Sequence, residues 1–375
     1  EDAELFSAGL QAVHTRTLAD PRWGVKLTGK EGPHAIGFFS VRDDVTNLLF
    51  PGPQGSRETS LDAQCQGTVL RYRRDVGQGS TLGVLVTDRE GEDGYWNRTA
   101  GLTGRVLVTP RDLVRLQYMG SHTRYPGAVA DAFNQPRTTV KGNACELLYE
   151  HETRDLVWYG LYKQVDSGLR ADLGYLVQAG FRNGEVGAER IWIRDSGHWW
   201  NQIEAGAAWE IWRRIGGPTL DEAWSAWLEC EGLGQSSLEA RLYHDFSHYE
   251  GRDYELTFLN FEASASPSGR WNVALEGMVG DGLDFEGNRE GRQLSLSPQV
   301  ELRLGRHLQA TLRHLFERLS LDAGRLYTAN ATELRLVYQF DRRAFLRAIV
   351  QRSDYERNAA LYADVGEPRP RSLFN

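Results

Sequence analysis

Apolar and polar residues alternate along much of this chain. In Glu333-Leu334-Arg335-Leu336-Val337-Tyr338-Gln339-Phe340-Asp341, the residues Leu334, Leu336, Tyr338 and Phe340 fall on one side, and Glu333, Arg335, Gln339 and Asp341 on the other. A period of two marks a strand whose two faces meet different surroundings. The same pattern predicts strands at Trp23–Lys30, His34–Asp43, Gln64–Arg74, Thr81–Asp88, Gly101–Thr109, Leu113–Ser121, Lys141–Glu152, Leu156–Val165, Arg170–Phe181 and Val186–Arg194. It continues through Gln202–Arg213, Glu222–Glu231, Leu238–Phe246, Tyr254–Ser264, Trp271–Val279, Gln299–Leu304, Leu308–Phe316, Thr332–Asp341 and Phe345–Ser353. Gly, Pro, Asp and Asn punctuate these runs. Pro110-Arg111-Asp112 closes a hairpin, whereas Pro51–Thr59 and Arg124–Arg137 read as longer loops. The end of the chain is polar, with Pro368 and Pro370, so the expected layout is one domain over 1–355 and a tail over 356–375.

The polar side of these strands is densely charged, with Arg71 beside Arg73, Glu146 beside Glu150, Glu239 beside Arg241 and Glu333 beside Arg335. An oily face opposite a face of mixed charge suits lipid outside and water inside. The expected fold is all-β, a transmembrane antiparallel up-and-down β-barrel of about 18 strands (range 16–20). Its lumen is expected to be lined by Arg71, Arg73, Arg105, Arg115, Glu146, Glu150, Glu239, Arg241, Glu301, Arg303, Arg313, Glu333, Arg335 and Arg347. Trp158, Tyr159, Trp199, Trp200, Trp209, Trp212, Trp224 and Trp227 lie near expected strand ends, where aromatic girdles meet the membrane interfaces. Such a barrel implies a porin-like passage for polar solutes, chosen by pore width and lumen charge. A non-conducting barrel that docks a periplasmic or surface partner is a second reading. A soluble carbohydrate-binding or carbohydrate-active β protein is a third. The spacing of Trp209 with Trp212, and of Trp224 with Trp227, sets each pair on opposite faces, which argues against a shared sugar platform.

Composition adds limits. The chain has 375 residues and a net charge of −8, unlike the basic surface of a nucleic-acid binder. No uncharged apolar run is long enough for a membrane-spanning helix, which leaves spanning strands open. Glu1-Asp2-Ala3-Glu4 carries no leader pattern, so the numbering is expected to start after a removed leader or inside a longer protein. Cys65, Cys145 and Cys230 have no metal-ligand spacing and read as small strand filler, with a disulfide between two of them as the alternative.

Candidate chemistry is sparse. His244 and His248 share a strand face and could form a metal pair, although a solvated hairpin end is the simpler reading. Asp281, Asp284 and Glu286 offer oxygen ligands for calcium without the spacing of a known loop. Asp88–Asp93 reads as a solvated external loop. No phosphate-cradling glycine loop, HExxH or GxSxG occurs. Adjacent strand residues face opposite ways, so neither Ser121-His122 nor Ser247-His248 is a nucleophile–base couple. The expectation is therefore no enzyme, with a barrel phospholipase-type activity as the alternative, no cofactor, and a bilayer with its lipopolysaccharide as the main partner.

Several short motifs carry a resemblance. They are Lys26-Leu27-Thr28-Gly29-Lys30 with Ile36-Gly37, Ser80–Thr87, Arg170-Ala171-Asp172-Leu173-Gly174-Tyr175, and the terminal hairpin from Leu334–Tyr338 to Phe345–Gln351. Together they resemble an uncharacterised bacterial outer-membrane barrel family. The resemblance implies a barrel usually preceded by a carbohydrate-binding-like β-sandwich, and it brings no catalytic residues. The chain departs from that pattern by starting without the sandwich and by ending in Phe374-Asn375 after a polar stretch.

Overall fold

The computed structural model describes residues 10–194 and 198–362. Its strands are β1 (Pro21–Glu31), β2 (His34–Asp43), β3 (Thr46–Gly52), β4 (Gly55–Leu61), β5 (Cys65–Val76), β6 (Ser80–Gly91) and β7 (Trp96–Thr109). Next come β8 (Asp112–Arg124), the short helix α1 (Gly127–Ala132), β9 (Val140–Glu152), β10 (Leu156–Val165), β11 (Phe181–Ile193), β12 (Trp200–Arg214) and β13 (Thr219–Gly232). The chain continues with β14 (Ser236–Tyr249), β15 (Arg252–Ser268), β16 (Trp271–Asp284), β17 (Arg289–Leu304), β18 (Leu308–Leu321), β19 (Gly324–Gln339) and β20 (Phe345–Arg357).

Eighteen strands form one antiparallel sheet. Strand β1 pairs with β2, β2 with β5, and each later strand with its successor up to β20. The β3–β4 hairpin is a separate two-stranded insert. Among the described residues β1 and β20 pair on one side only, so they are the two edges of the sheet. One rim of the sheet carries short turns such as Gly32-Pro33, Pro110-Arg111 and Gly269-Arg270. The opposite rim carries the long inserts: the β3–β4 hairpin, α1, the 166–180 segment and the residues that lead into β1.

Registered partners share a face, and the register carries one face unbroken around the sheet. Its outer side is apolar, with Leu27 64% exposed, Leu70 47% and Leu102 58%, and with Leu116, Leu147, Val186, Leu242, Leu312 and Val350 also exposed. Contiguous apolar surface of this extent is foreign to soluble monomers, because water penalises each Å² by about 25 cal/mol. Near the insert rim the outer side turns polar, with Arg42, Asp88, Arg98, His122 and Lys141. The apolar belt is therefore displaced toward the short turns.

The buried core lies on the inner side. Val69, Leu85, Met119, Ala144, Val165 and Phe181 of the wall pack against Leu10, Ala12, Val13, Leu169 and Leu173 from the two inserted segments. A second cluster, of Leu48, Phe50, Tyr95, Tyr125 and Val129, joins the β3–β4 hairpin and α1 at the insert rim.

Four expectations need correction. Residues 170–180 form no strand; they fold inward, because Leu169, Leu173 and Ala179 bury against the wall. Pro51–Thr59 lies within the β3–β4 hairpin, held by cross-strand pairs such as Leu48 with Thr59. Asp88–Gly91 continues β6, because Asp88 and Glu90 pair with Arg98 of the next strand. Strand β20 runs to Arg357, past the expected tail start at 356, and residues 363–375 lie outside the described residues.

Turn chemistry follows local need. Glu250 (φ 45°) and Gly251 (φ 80°) form the two-residue loop between Tyr249 and Arg252. Positive φ at both positions matches the right-handed twist of the flanking strands. Gly251→Val should cost about 1–2 kcal/mol, the penalty for a branched residue in the left-handed region, read as a lower denaturant midpoint. An unchanged midpoint would mean that this turn is not held in that conformation.

Candidate functional site

The register places all fourteen expected lumen residues on the inner side. Arg71 and Arg73 reach it from β5, Arg105 from β7, Arg115 from β8, and Glu146 and Glu150 from β9. Glu239 and Arg241 reach it from β14, Glu301 and Arg303 from β17, Arg313 from β18, Glu333 and Arg335 from β19, and Arg347 from β20.

Their charges are not evenly mixed. Basic groups dominate β5–β8 and β17–β20. Strands β11–β16 instead present Glu185, Glu189, Glu204, Glu210, Asp221, Glu229, Asp245, Glu262 and Glu276 on the same inner side. The sequence reading missed this acidic wall; its signal was there, as acids at alternate positions such as Glu185 and Glu189. Neighbouring side chains fix many of these carboxylates. Tyr159 donates its hydroxyl to Glu185 at 2.6 Å, Trp227 its indole N–H to Glu189 at 2.8 Å, and Trp212 to Glu210 at 2.6 Å. Arg241 lies 4.4 Å from the Trp227 ring centroid and 3.5 Å from Glu239.

Those contacts correct part of the aromatic expectation. Tyr159, Trp212 and Trp227 face inward by register, so they cannot belong to a lipid-side girdle. Trp158, Trp209 and Trp224 face outward, with Trp209 donating to Glu222 at 2.9 Å. Trp199 is exposed before β12, and Trp200, the first residue of β12, stacks under Arg194 at 4.6 Å.

Two inserted segments narrow the inner space at the insert rim. The segment from Leu10 meets Gln117, which accepts from the Leu10 N–H at 2.7 Å and donates to the Leu10 carbonyl at 2.9 Å. The 166–180 segment is held by four wall residues. Arg89, wholly buried, donates to the carbonyls of Asp172 at 2.8 Å and Asn47 at 2.7 Å. Asn97 donates to the Arg170 carbonyl at 2.9 Å and accepts from the Asp172 N–H at 3.1 Å. Thr99 donates to the same carbonyl at 3.4 Å, and Ser121 accepts from the Arg170 N–H at 2.9 Å. A buried chain segment without a ladder needs such side-chain partners. Close approach also demands glycine: a Cβ at Gly142 would strike the Leu169 backbone, and one at Gly174 would strike Gln11.

At the centre of the inserted segment, the Asp172 carboxylate accepts from Tyr95 at 2.7 Å and Tyr125 at 3.1 Å. Burial pushes this carboxyl above the usual carboxylate range; the two hydroxyls and the Arg89 charge pull the other way without cancelling it. In the sequence Asp172 stands out only within a family-like motif and Ser121 only beside His122, and Arg89 reads there as an ordinary surface charge, so their anchoring role was not visible.

The metal readings are not supported by the contacts. Asp281 pairs with Arg292 at 2.9 Å, Asp284 with Arg289 at 2.7 Å, and Glu286 with Arg357 at 3.4 Å. Arginine neutralises each of the three, and no group of three or more possible ligands forms among the described residues. His244 and His248 face outward and take separate partners, Thr257 at 2.9 Å and Asp253 at 2.6 Å. Ser121 and His122 sit on opposite faces, as do Ser247 and His248. All three cysteines are free.

No protein-family model matches the chain, and no curated protein matches it. Solved structures similar to it include OccK2 (OpdF) of Pseudomonas aeruginosa, at 15% identity over 87% of this chain and 94% of that one, with a TM-score of 0.44. A BenF-like porin from Pseudomonas fluorescens Pf-5 is similar at 12% identity over 88% and 95%, with a TM-score of 0.43. The ferric-catecholate import receptor Fiu of E. coli K12 is similar at 8% identity, with a TM-score of 0.42; 88% of this chain is covered, but only 62% of that receptor, less than two thirds of its length.

Asp172→Ala removes the acceptor of two buried hydroxyls, each worth about 1–3 kcal/mol when left unpaired. Limited proteolysis within 166–180 should then speed up by about tenfold or more, with Gly142→Val acting the same way. Cleavage at the wild-type rate in both variants would show that the segment is held by other contacts.

Proposed function

We propose that the protein is a bacterial outer-membrane β-barrel whose charged inner face passes polar solutes. One observation carries this reading: fourteen charged residues share the inner side while the outer side is an apolar belt. A lipid surface accepts only a sheet whose backbone groups are all paired, so the edges β1 and β20 close on each other in the membrane. They run antiparallel, and each alternates apolar outward residues (Val25 and Leu27; Leu346 and Val350) with inward cations (Lys26; Arg347). A basic wall facing an acidic one sets a transverse field that orients dipolar solutes. A carbohydrate-binding sandwich ahead of the barrel, as the sequence resemblance implies, would join at the insert rim beside Leu10.

The inserted segments favour a second reading, a barrel held shut that serves as a scaffold for a surface or periplasmic partner. Conductance separates the two. Full-length protein reconstituted in a planar bilayer should show discrete current steps, and Arg335→Glu should shift the reversal potential toward cation preference. A flat trace from protein whose unboiled band migrates faster than its boiled band would favour the shut scaffold. Solubility without detergent, with no such band shift, would overturn the membrane reading.

A further inference from the structure

We infer that the short-turn rim holds the phosphate headgroups of anionic lipids, and that its most cationic pocket lies between the β9–β10 turn and the adjoining ends of β11 and β12. This rests on the membrane reading above.

The turns at this rim carry Arg111, Arg154, Arg270, Arg306, Arg342 and Arg343. All six are exposed, and none makes a salt bridge among the described residues. Several acids of the same rim are already occupied. Asp75 binds Lys30 at 2.8 Å, Asp155 binds Arg190 at 2.7 Å, and Asp341 accepts the backbone N–H groups of Arg343 at 2.7 Å and Ala344 at 2.9 Å. The exposed Glu31 and Glu152 remain against them. The tips of the opposite rim carry Glu92, Asp93, Glu250 and Asp322, with Glu286 paired to Arg357. Charge is thus split along the barrel axis, and the basic end is the one beside the apolar belt. Guanidinium groups at that level meet headgroup phosphates in the bidentate geometry that suits them.

Cavities between adjacent turns give this rim a shape as well as a charge. One of about 750 Å³ is lined by Arg154, Arg190 and Arg194, with Trp192 and Ile203 from the outer, lipid-side face. Its one lining acid, Asp155, is neutralised by Arg190. Arg154, which makes no salt bridge among the described residues, and Arg194, which lies over the Trp200 ring, therefore stand beside an apolar wall, the arrangement a lipid with an anionic head and acyl tails requires. A smaller cavity of about 460 Å³ gathers Arg105, Arg111 and Arg154 but also Glu150 and Glu152, so it is the weaker pocket.

The test uses the full chain in detergent micelles doped with phosphatidylglycerol or, separately, phosphatidylcholine, with retained lipid counted by native mass spectrometry. Phosphatidylglycerol should be retained about threefold or more over phosphatidylcholine, the scale of two partly exposed ion pairs. Both Arg154→Gln and Arg194→Gln should erase that preference. Among the described residues the Arg154 side chain makes no hydrogen bond or salt bridge, so its variant tests the pocket even if Arg194→Gln disturbs the strand ends. Equal retention of the two lipids, or a preference untouched by Arg154→Gln, would overturn the inference while the unboiled band shift persists. Loss of that shift in the wild-type protein would instead overturn the membrane reading on which it rests.

Discussion

Every backbone N–H and C=O withdrawn from water must find a partner, and this constraint shapes the whole molecule. Eighteen strands answer it with ladders. Where the chain leaves the ladder and still enters the interior, side chains answer it. Gln117 pairs with Leu10 as a neighbouring strand would, and Asn97, Arg89 and Ser121 do the same for residues 170–172. The inward segments are therefore part of the wall's hydrogen bonding rather than loose loops above it.

Where the outer face is an apolar belt, the inner face inherits the charge. That leaves many ionised groups side by side, and the structure handles the two signs differently. Carboxylates on β11 and β12 are held by Tyr159, Trp212 and Trp227, so their orientation is set by rigid aromatic donors. Several arginines lean on neutral partners, as Arg71 does on Thr103 at 2.7 Å and Arg313 on Gln299 at 2.8 Å. Other charges of this face pair directly, as Arg303 does with Glu301 at 3.0 Å and Arg241 with Glu239 at 3.5 Å.

A second asymmetry runs along the axis. Short turns, an apolar belt and exposed arginines gather at one rim. Polar outer residues, both ends of the described chain and the inserted segments gather at the other. Strands that continue past the belt carry the 166–180 segment on their inner side, anchored through Asp172 to Tyr95 and Tyr125. The inserted segments and the exposed arginines thereby fall at opposite ends of one sheet.

Alternation by itself determined the class of fold and most of the strands, because a period of two is a local property of the extended backbone. Arg335 and Glu333 could be assigned to the inner side from nine consecutive letters. The outcome at Trp209 and Trp212, or at Trp224 and Trp227, was legible only as opposition; which member faces inward depends on strand register, a tertiary fact. The tertiary structure alone decided that Arg170–Gly180, which reads as a strand, leaves the sheet. Its apolar residues find the same burial against the inner wall, and Asn97, Arg89 and Ser121, distant in sequence, supply the hydrogen bonds that a ladder would otherwise have to give.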